Sequence, residues 1–140
     1  MKLAIVGSRS YRNEKKIKRL LEKYIEFYGR ENVIVVSGGC PEGADFLAKM
    51  ITLSMGLQYV EFPPKHFSHN PYCILPPNNY NQPYHVTNFF ARNSQIADHC
   101  EHLAAFTVKG LKCNGTMDTY KKAERLNKKC FIFEDTDANR

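Results

Sequence analysis

Val33-Ile34-Val35-Val36-Ser37-Gly38-Gly39-Cys40-Pro41-Glu42-Gly43-Ala44-Asp45 is the stretch that decides the fold. Four consecutive β-branched residues suit a strand buried on both faces, as in a parallel sheet. The run breaks at Ser37-Gly38-Gly39, and a helical pattern begins near Pro41. Strand, glycine turn and helix present backbone N–H groups and a helix N-terminus to an anion.

The same grammar recurs on either side. Lys2–Val6 reads as a first strand, ended by Gly7-Ser8-Arg9-Ser10. From Asn13 the period turns helical: Ile17, Leu20, Leu21, Tyr24, Ile25 and Tyr28 recur at helix spacing, and Gly29 supplies a stop. A second helix is expected from about Glu42 to Met55, and a third strand over Leu57–Phe62. A helix over Thr87–His99 and a strand over His102–Thr107 follow. Then come a turn at Asn114-Gly115-Thr116, a helix from Thr116 to Asn127 and a strand over Cys130–Phe133. Strands alternating with helices, with no hairpin signal, predict right-handed crossovers. The expected fold is α/β: a Rossmann-like three-layer sandwich of about five parallel strands with helices on both faces. We expect a single domain over 1–134 and a polar tail over 135–140.

One segment breaks the pattern. Residues 63–86 hold six of the seven prolines, with several asparagines and tyrosines. A loop of that length in a compact domain is expected to act as a lid or binding loop, the alternative being an insertion without a role. His66, His69 and His85 lie in it. With no acidic residue or second close pair nearby, they read as loop histidines and not as metal ligands.

With 140 residues, 43% hydrophobic and 24% charged, the composition is that of an ordinary globular domain. No apolar run is long enough to span a bilayer. The start reads as a strand and not as a signal peptide, so a cytoplasmic location is expected. Five cysteines, an odd number with no C-x-x-C pair, argue against a disulfide framework or a structural zinc site. Net charge is +6. Its basic residues gather on the first helix (Arg12, Lys15, Lys16, Lys18, Arg19, Lys23) and the last (Lys121, Lys122, Arg125, Lys128, Lys129). Without interleaved aromatics these read as solvated faces, so binding of nucleic acid is possible but not favoured.

In an open parallel sheet, ligands bind at the carboxyl ends of the strands. Gly7-Ser8-Arg9, Ser37-Gly38-Gly39, the proline-rich segment and Asn114-Gly115-Thr116 are all expected there. The glycines let backbone approach a phosphate, and Arg9 adds a planar charged fork. Neither G-x-G-x-x-G nor G-x-x-x-x-G-K-[ST] is present, which argues against a conventional dehydrogenase or P-loop nucleotidase.

Ile5-Val6-Gly7-Ser8-Arg9, Ser37 to Asp45, Arg92-Asn93, Ala97-Asp98 and Asn114-Gly115-Thr116, taken in that order, resemble the SLOG superfamily. The likeness is to the small stand-alone proteins of the YspA-like, DUF2493 branch, common in bacteria and phages. That resemblance implies a Rossmann-like fold that binds a nucleotide or nucleotide-derived ligand, with no further cofactor, and a homodimer or higher homo-oligomer. It implies ligand contacts at Gly7, Ser8, Arg9, Ser37, Gly38, Gly39, Gly43, Asp45, Arg92, Asn93, Gly115 and Thr116. Some relatives are phosphoribohydrolases that cleave an N-glycosidic bond with a glutamate. Here Thr119 stands at that position, leaving Asp118 as the weak catalytic candidate and hydrolysis as the alternative to binding. Single-stranded DNA binding, seen in other relatives, is a lower alternative. Asp45 reads either as a ligand or loop-orienting residue or as a complement to the helix dipole. Ser37 reads as a phosphate ligand or as a small residue in a tight turn. Cys40, near a helix N-terminus, is a candidate low-pKa thiolate, with unreactive thiol as the alternative.

Overall fold

The computed structural model describes residues 1–62 and 86–136, the side chains of 86–89 excepted. Five strands form one sheet: β1 (Lys2–Gly7), β2 (Ile34–Ser37), β3 (Gln58–Glu61), β4 (His102–Val108) and β5 (Lys129–Asp135). Between them run α1 (Glu14–Tyr28), α2 (Gly43–Ser54), α3 (Val86–His99) and α4 (Asn114–Arg125). All pairings are parallel, in the spatial order β3-β2-β1-β4-β5. The order reverses between β1 and β4, which opens a crevice above their carboxyl ends. The molecule is therefore a Rossmann-like α/β sandwich.

Side-chain alternation builds a core on each face. Leu3, Ile5, Val35, Ala104 and Phe106 point to one side, where they meet Ile17, Leu21 and Tyr24 of α1 and Ala44 and Ala48 of α2. Ala4, Val6, Val36, Leu103 and Ala105 point to the other, against Ile96 and Ala97 of α3 and Ala123 of α4. Alanine recurs on that second face from both sheet and helices.

Several boundaries differ from the sequence reading. A 3-10 turn over Arg30–Asn32 precedes β2. β5 extends to Asp135, so the polar ending begins later than its charges suggest. Asp135 is 4% exposed and accepts a hydrogen bond from Asn13 Nδ2 at 3.0 Å. That bond ties the start of α1 to the end of β5. Val86, read as the last residue of the proline-rich segment, opens α3 instead. The expected lid over 63–85, with His66, His69 and His85, lies outside the described residues. No described helix is long and apolar enough to cross a membrane.

Candidate functional site

The turn after β1 is built by exclusion of side chains. A Cβ on Gly7 would stand 2.2 Å from the Phe106 carbonyl oxygen and 2.6 Å from Ala44 Cβ. Glycine thus lets the end of β1 press against β4 and α2 together. Ser8 N–H then donates to the Phe106 carbonyl at 2.9 Å. The Ser8 carbonyl accepts from the amides of Tyr11 (3.2 Å) and Ala44 (3.1 Å). Gly43 makes the second of these contacts possible. It adopts φ +75°, and a Cβ there would lie 2.2 Å from the Ser8 oxygen. The amide of Ala44, in the first turn of α2, is therefore satisfied from within the protein.

This changes the reading of the stretch after β2. Ser37 is fully buried, and its Oγ donates to the Ile5 carbonyl at 2.8 Å. It holds β2 to β1 beneath the crevice and does not line it. Gly39 and Gly43 also lie off the cavity wall, whereas Gly38 is on it. The small-residue reading of Ser37 is the one its hydrogen bond fits.

Beside the turn sits a buried polar chain. Arg92 Nη1 donates to the Gly38 carbonyl at 2.9 Å, and its Nε donates to Asn93 Oδ1 at 3.0 Å. Asn93 Nδ2 in turn donates to Asp118 Oδ2 (3.1 Å) and to the Gly115 carbonyl (3.3 Å). One arginine–asparagine pair on α3 thereby joins the turn after β2 to the first turn of α4. Asp45 Oδ2 accepts the Cys40 N–H at 3.2 Å, which fixes the loop between β2 and α2. Burial pushes the Asp45 carboxyl up, opposed by the Arg92 charge and by the hydrogen bonds from Cys40 and Ser37. Burial likewise lowers Arg92, opposed by Asp45. Asp45 thus acts as a loop-orienting residue and as the buried counter-charge to Arg92. Burial, with Asp45 beside it, raises the Cys40 thiol despite the Glu42 backbone hydrogen bond and the Arg9 and Arg92 charges, which act the other way. That shift opposes the thiolate reading.

The third component is the N-terminus of α4. The helix starts at Asn114, two residues earlier than its sequence pattern suggests, so Asn114-Gly115-Thr116 form its first turn. Helix-poor asparagine and glycine are tolerated there because the first amides have no intrahelical acceptors. The N-cap, Cys113, makes no side-chain capping bond, and the first turn has no acidic residue. Asn114 and Gly115 are exposed, and a Cβ on Gly115 would meet nothing within 4 Å. Thr119 Oγ1 donates to the Gly115 carbonyl at 3.1 Å. Asp118 is held by Asn93 and by Lys122 at 2.9 Å, and it is not on the cavity wall.

These parts enclose a cavity of about 630 Å³. Gly7, Ser8, Arg9, Gly38, Asp45, Arg92, Asn93, Gly115 and Thr116 all border it, so nine of the twelve anticipated ligand residues converge. Sequence reading missed Phe90, Ile96, Leu111 and Lys112, which also border it. Phe90 and Ile96 fall within the helix expected over Thr87–His99, where apolar residues at helix spacing mark a packed side and not a ligand wall. Lys112 was detectable as a cation two residues before a helix start. Among the described lining residues, Arg9, Arg92 and Lys112 stand against a single carboxylate, Asp45. Val6, Phe90, Ile96 and Leu111 give the cavity apolar surface. No group of three or more histidine, cysteine, aspartate or glutamate side chains poised for a metal occurs among the described residues.

A scan of protein-family models finds none that matches the chain, and a search of curated proteins finds no match either.

Proposed function

We propose that this protein binds a nucleotide or nucleotide-derived ligand, either ADP-ribose-like or a nucleoside phosphate, and acts as a sensor or sequestering protein. The observation that carries the reading is the uncapped first turn of α4, opening on a cavity with three cationic side chains and one carboxylate. A helix N-terminus with free amides favours an anion, and a cation-rich wall adds to that preference. The cavity lies where the strand order reverses, the usual place for nucleotides in such sheets. Its volume of about 630 Å³ suits a nucleotide-sized ligand. Phe90, Ile96 and Leu111 offer apolar contact for a base, and Arg9 is exposed and positioned for a second phosphate or a carboxylate. The resemblance to the SLOG superfamily, carried by the same turns, supports the same ligand class.

Binding is favoured over N-glycosidic hydrolysis by the state of the candidate carboxylates. Asp118 is engaged away from the cavity, Thr119 carries no carboxylate, and Asp45 is committed to the Cys40 amide and the Arg92 charge. A general acid or base must reach the bond it protonates or the water it activates.

Isothermal titration calorimetry against nucleoside mono- and diphosphates, ADP-ribose and cyclic ADP-ribose isomers tests the proposal. One-to-one binding of at least one of them is expected. A folded protein that binds none of them refutes it.

A further inference from the structure

The last strand carries a feature that the cavity does not use. β5 is the terminal strand of the sheet on its side, paired to β4 along Lys129–Asp135 and to no other described strand. Its main-chain phase follows from one bond: the Lys109 amide donates to the Asp135 carbonyl at 2.7 Å, so Asp135 turns its main chain toward β4. Main-chain groups alternate along a strand. Phe133 and Phe131 therefore also face β4, and Cys130, Ile132 and Glu134 direct N–H and C=O outward, where Lys16 Nζ donates to the Glu134 carbonyl at 3.5 Å in the single copy.

Sheet edges are commonly blunted by a central lysine, a proline, a bulge or a short strand. The opposite edge, β3, has only four residues and begins with exposed Gln58. β5 has seven regular residues, no proline, and an apolar centre of Cys130, Phe131, Ile132 and Phe133. Ile132, at its midpoint, is 48% exposed. Its exposed charges stand only at the ends, and their signs differ: Lys129 at the start and Glu134 at the finish, the Asp135 carboxylate being buried against Asn13.

That arrangement is complementary to itself when reversed. We propose that β5 is the docking edge for a second copy of this chain, paired antiparallel about Ile132 into a continuous ten-stranded sheet, twice the five strands of one copy. In that register Ile132 faces its own equivalent across the two-fold axis. Cys130 faces Glu134, Phe131 faces Phe133, and Lys129 faces Asp135. The outward-facing residues of one copy then meet outward-facing residues of the other, as antiparallel hydrogen-bonded pairs require. The aromatic pairs form on the face where Phe133 already stacks on Phe106 at 5.0 Å, extending that layer across the axis. A parallel arrangement would place lysine beside lysine and carboxylate beside carboxylate, and it would not close with two-fold symmetry. The inference is independent of the nucleotide reading.

Sedimentation velocity of the full chain over a range of concentrations tests it. A monomer–dimer equilibrium is expected. Ile132→Lys places two ammonium groups on the axis, and it should raise the dimer dissociation constant by a factor on the order of 100. Because Ile132 is half-exposed in one copy, that variant keeps the monomer fold, which circular dichroism verifies. Ile132→Cys supplies a positive readout. Directly opposed residues of a hydrogen-bonded pair have Cα atoms about 5.5 Å apart, within disulfide reach. Mild oxidation should link the two introduced thiols, as identified by peptide mapping. A wild-type chain that stays monomeric throughout overturns the proposal. So does a dimer whose dissociation constant is unchanged in folded Ile132→Lys, because it is held through another face.

Discussion

Gly43 shows how one residue sets the geometry of the site. Its φ of +75° and the 2.2 Å approach of the Ser8 carbonyl leave no room for a side chain. Gly43→Ala should therefore separate the turn after β1 from α2 and destabilise the fold by about 2–4 kcal/mol, combining backbone strain with a lost buried hydrogen bond. Gly115→Ala, in open space and without positive φ, should change stability by no more than about 0.5 kcal/mol. Urea unfolding midpoints of the two variants decide this. Cys100 provides a test in pH. It is fully buried, and its thiol is pushed up from 9.0 to about 11, chiefly by burial. Between those values the folded chain keeps a proton that the unfolded chain loses, so stability falls as pH rises. The two-unit shift corresponds to about 3 kcal/mol, present below pH 9 and lost toward pH 11. Cys100→Ala should flatten the stability profile in that window by about the same amount, measured by urea unfolding at successive pH values. Ser37 marks a limit of residue-level reading. A serine before two glycines has the same sequence whether its hydroxyl meets a phosphate or, as here, the Ile5 carbonyl on the neighbouring strand.

At the scale of elements, α4 matters more to the proposed site than the helix that drew attention in the sequence. Both follow a strand and a glycine-bearing turn, and the local sequence differs chiefly in the Asp45 of the first turn of α2. Neither N-cap makes a side-chain bond; the difference is that the Ser8 carbonyl occupies the Ala44 amide of α2 and Asp45 lies in that helix's first turn, whereas the first turn of α4 has no acidic residue. Gly115→Asp exploits this. A carboxylate in a helix first turn is stabilising by about 0.3–1 kcal/mol, so the fold should be retained or strengthened. Nucleotide affinity should fall at least about tenfold, as expected for a like charge at an anion site. Calorimetry beside thermal unfolding separates the two effects, and unaltered affinity would move the anion away from α4. The strand–helix alternation itself was legible, because four-residue apolar runs and helix-spaced apolar positions are strong local signals. The start of α4 was not. Asn114-Gly115 has turn composition and becomes helical because its amides need no partner in the chain.

For the molecule as a whole, the sequence indicated a parallel sheet with both faces covered, and the two cores of alternating side chains have that form. The strand order was not legible. Periodicity says that a strand is buried without saying which neighbour it pairs with, and only the order locates the crevice between β1 and β4. The convergence of Arg9, Arg92 and the Gly115 turn depends on that order, since these residues lie in three separate parts of the chain. The Arg92–Asn93 chain then links turns that sequence could only name separately.

The central claim, that a nucleotide sits at the first turn of α4 against the turn after β1, is tested most directly by amide NMR. A titration of isotope-labelled protein with the nucleotides that bind should shift the amides of Ser8, Arg9, Asn114, Gly115 and Thr116 first and most. Shifts confined to the basic outer residues of α1 and α4, such as Lys18, Lys121 and Arg125, or no shifts at all, would contradict it.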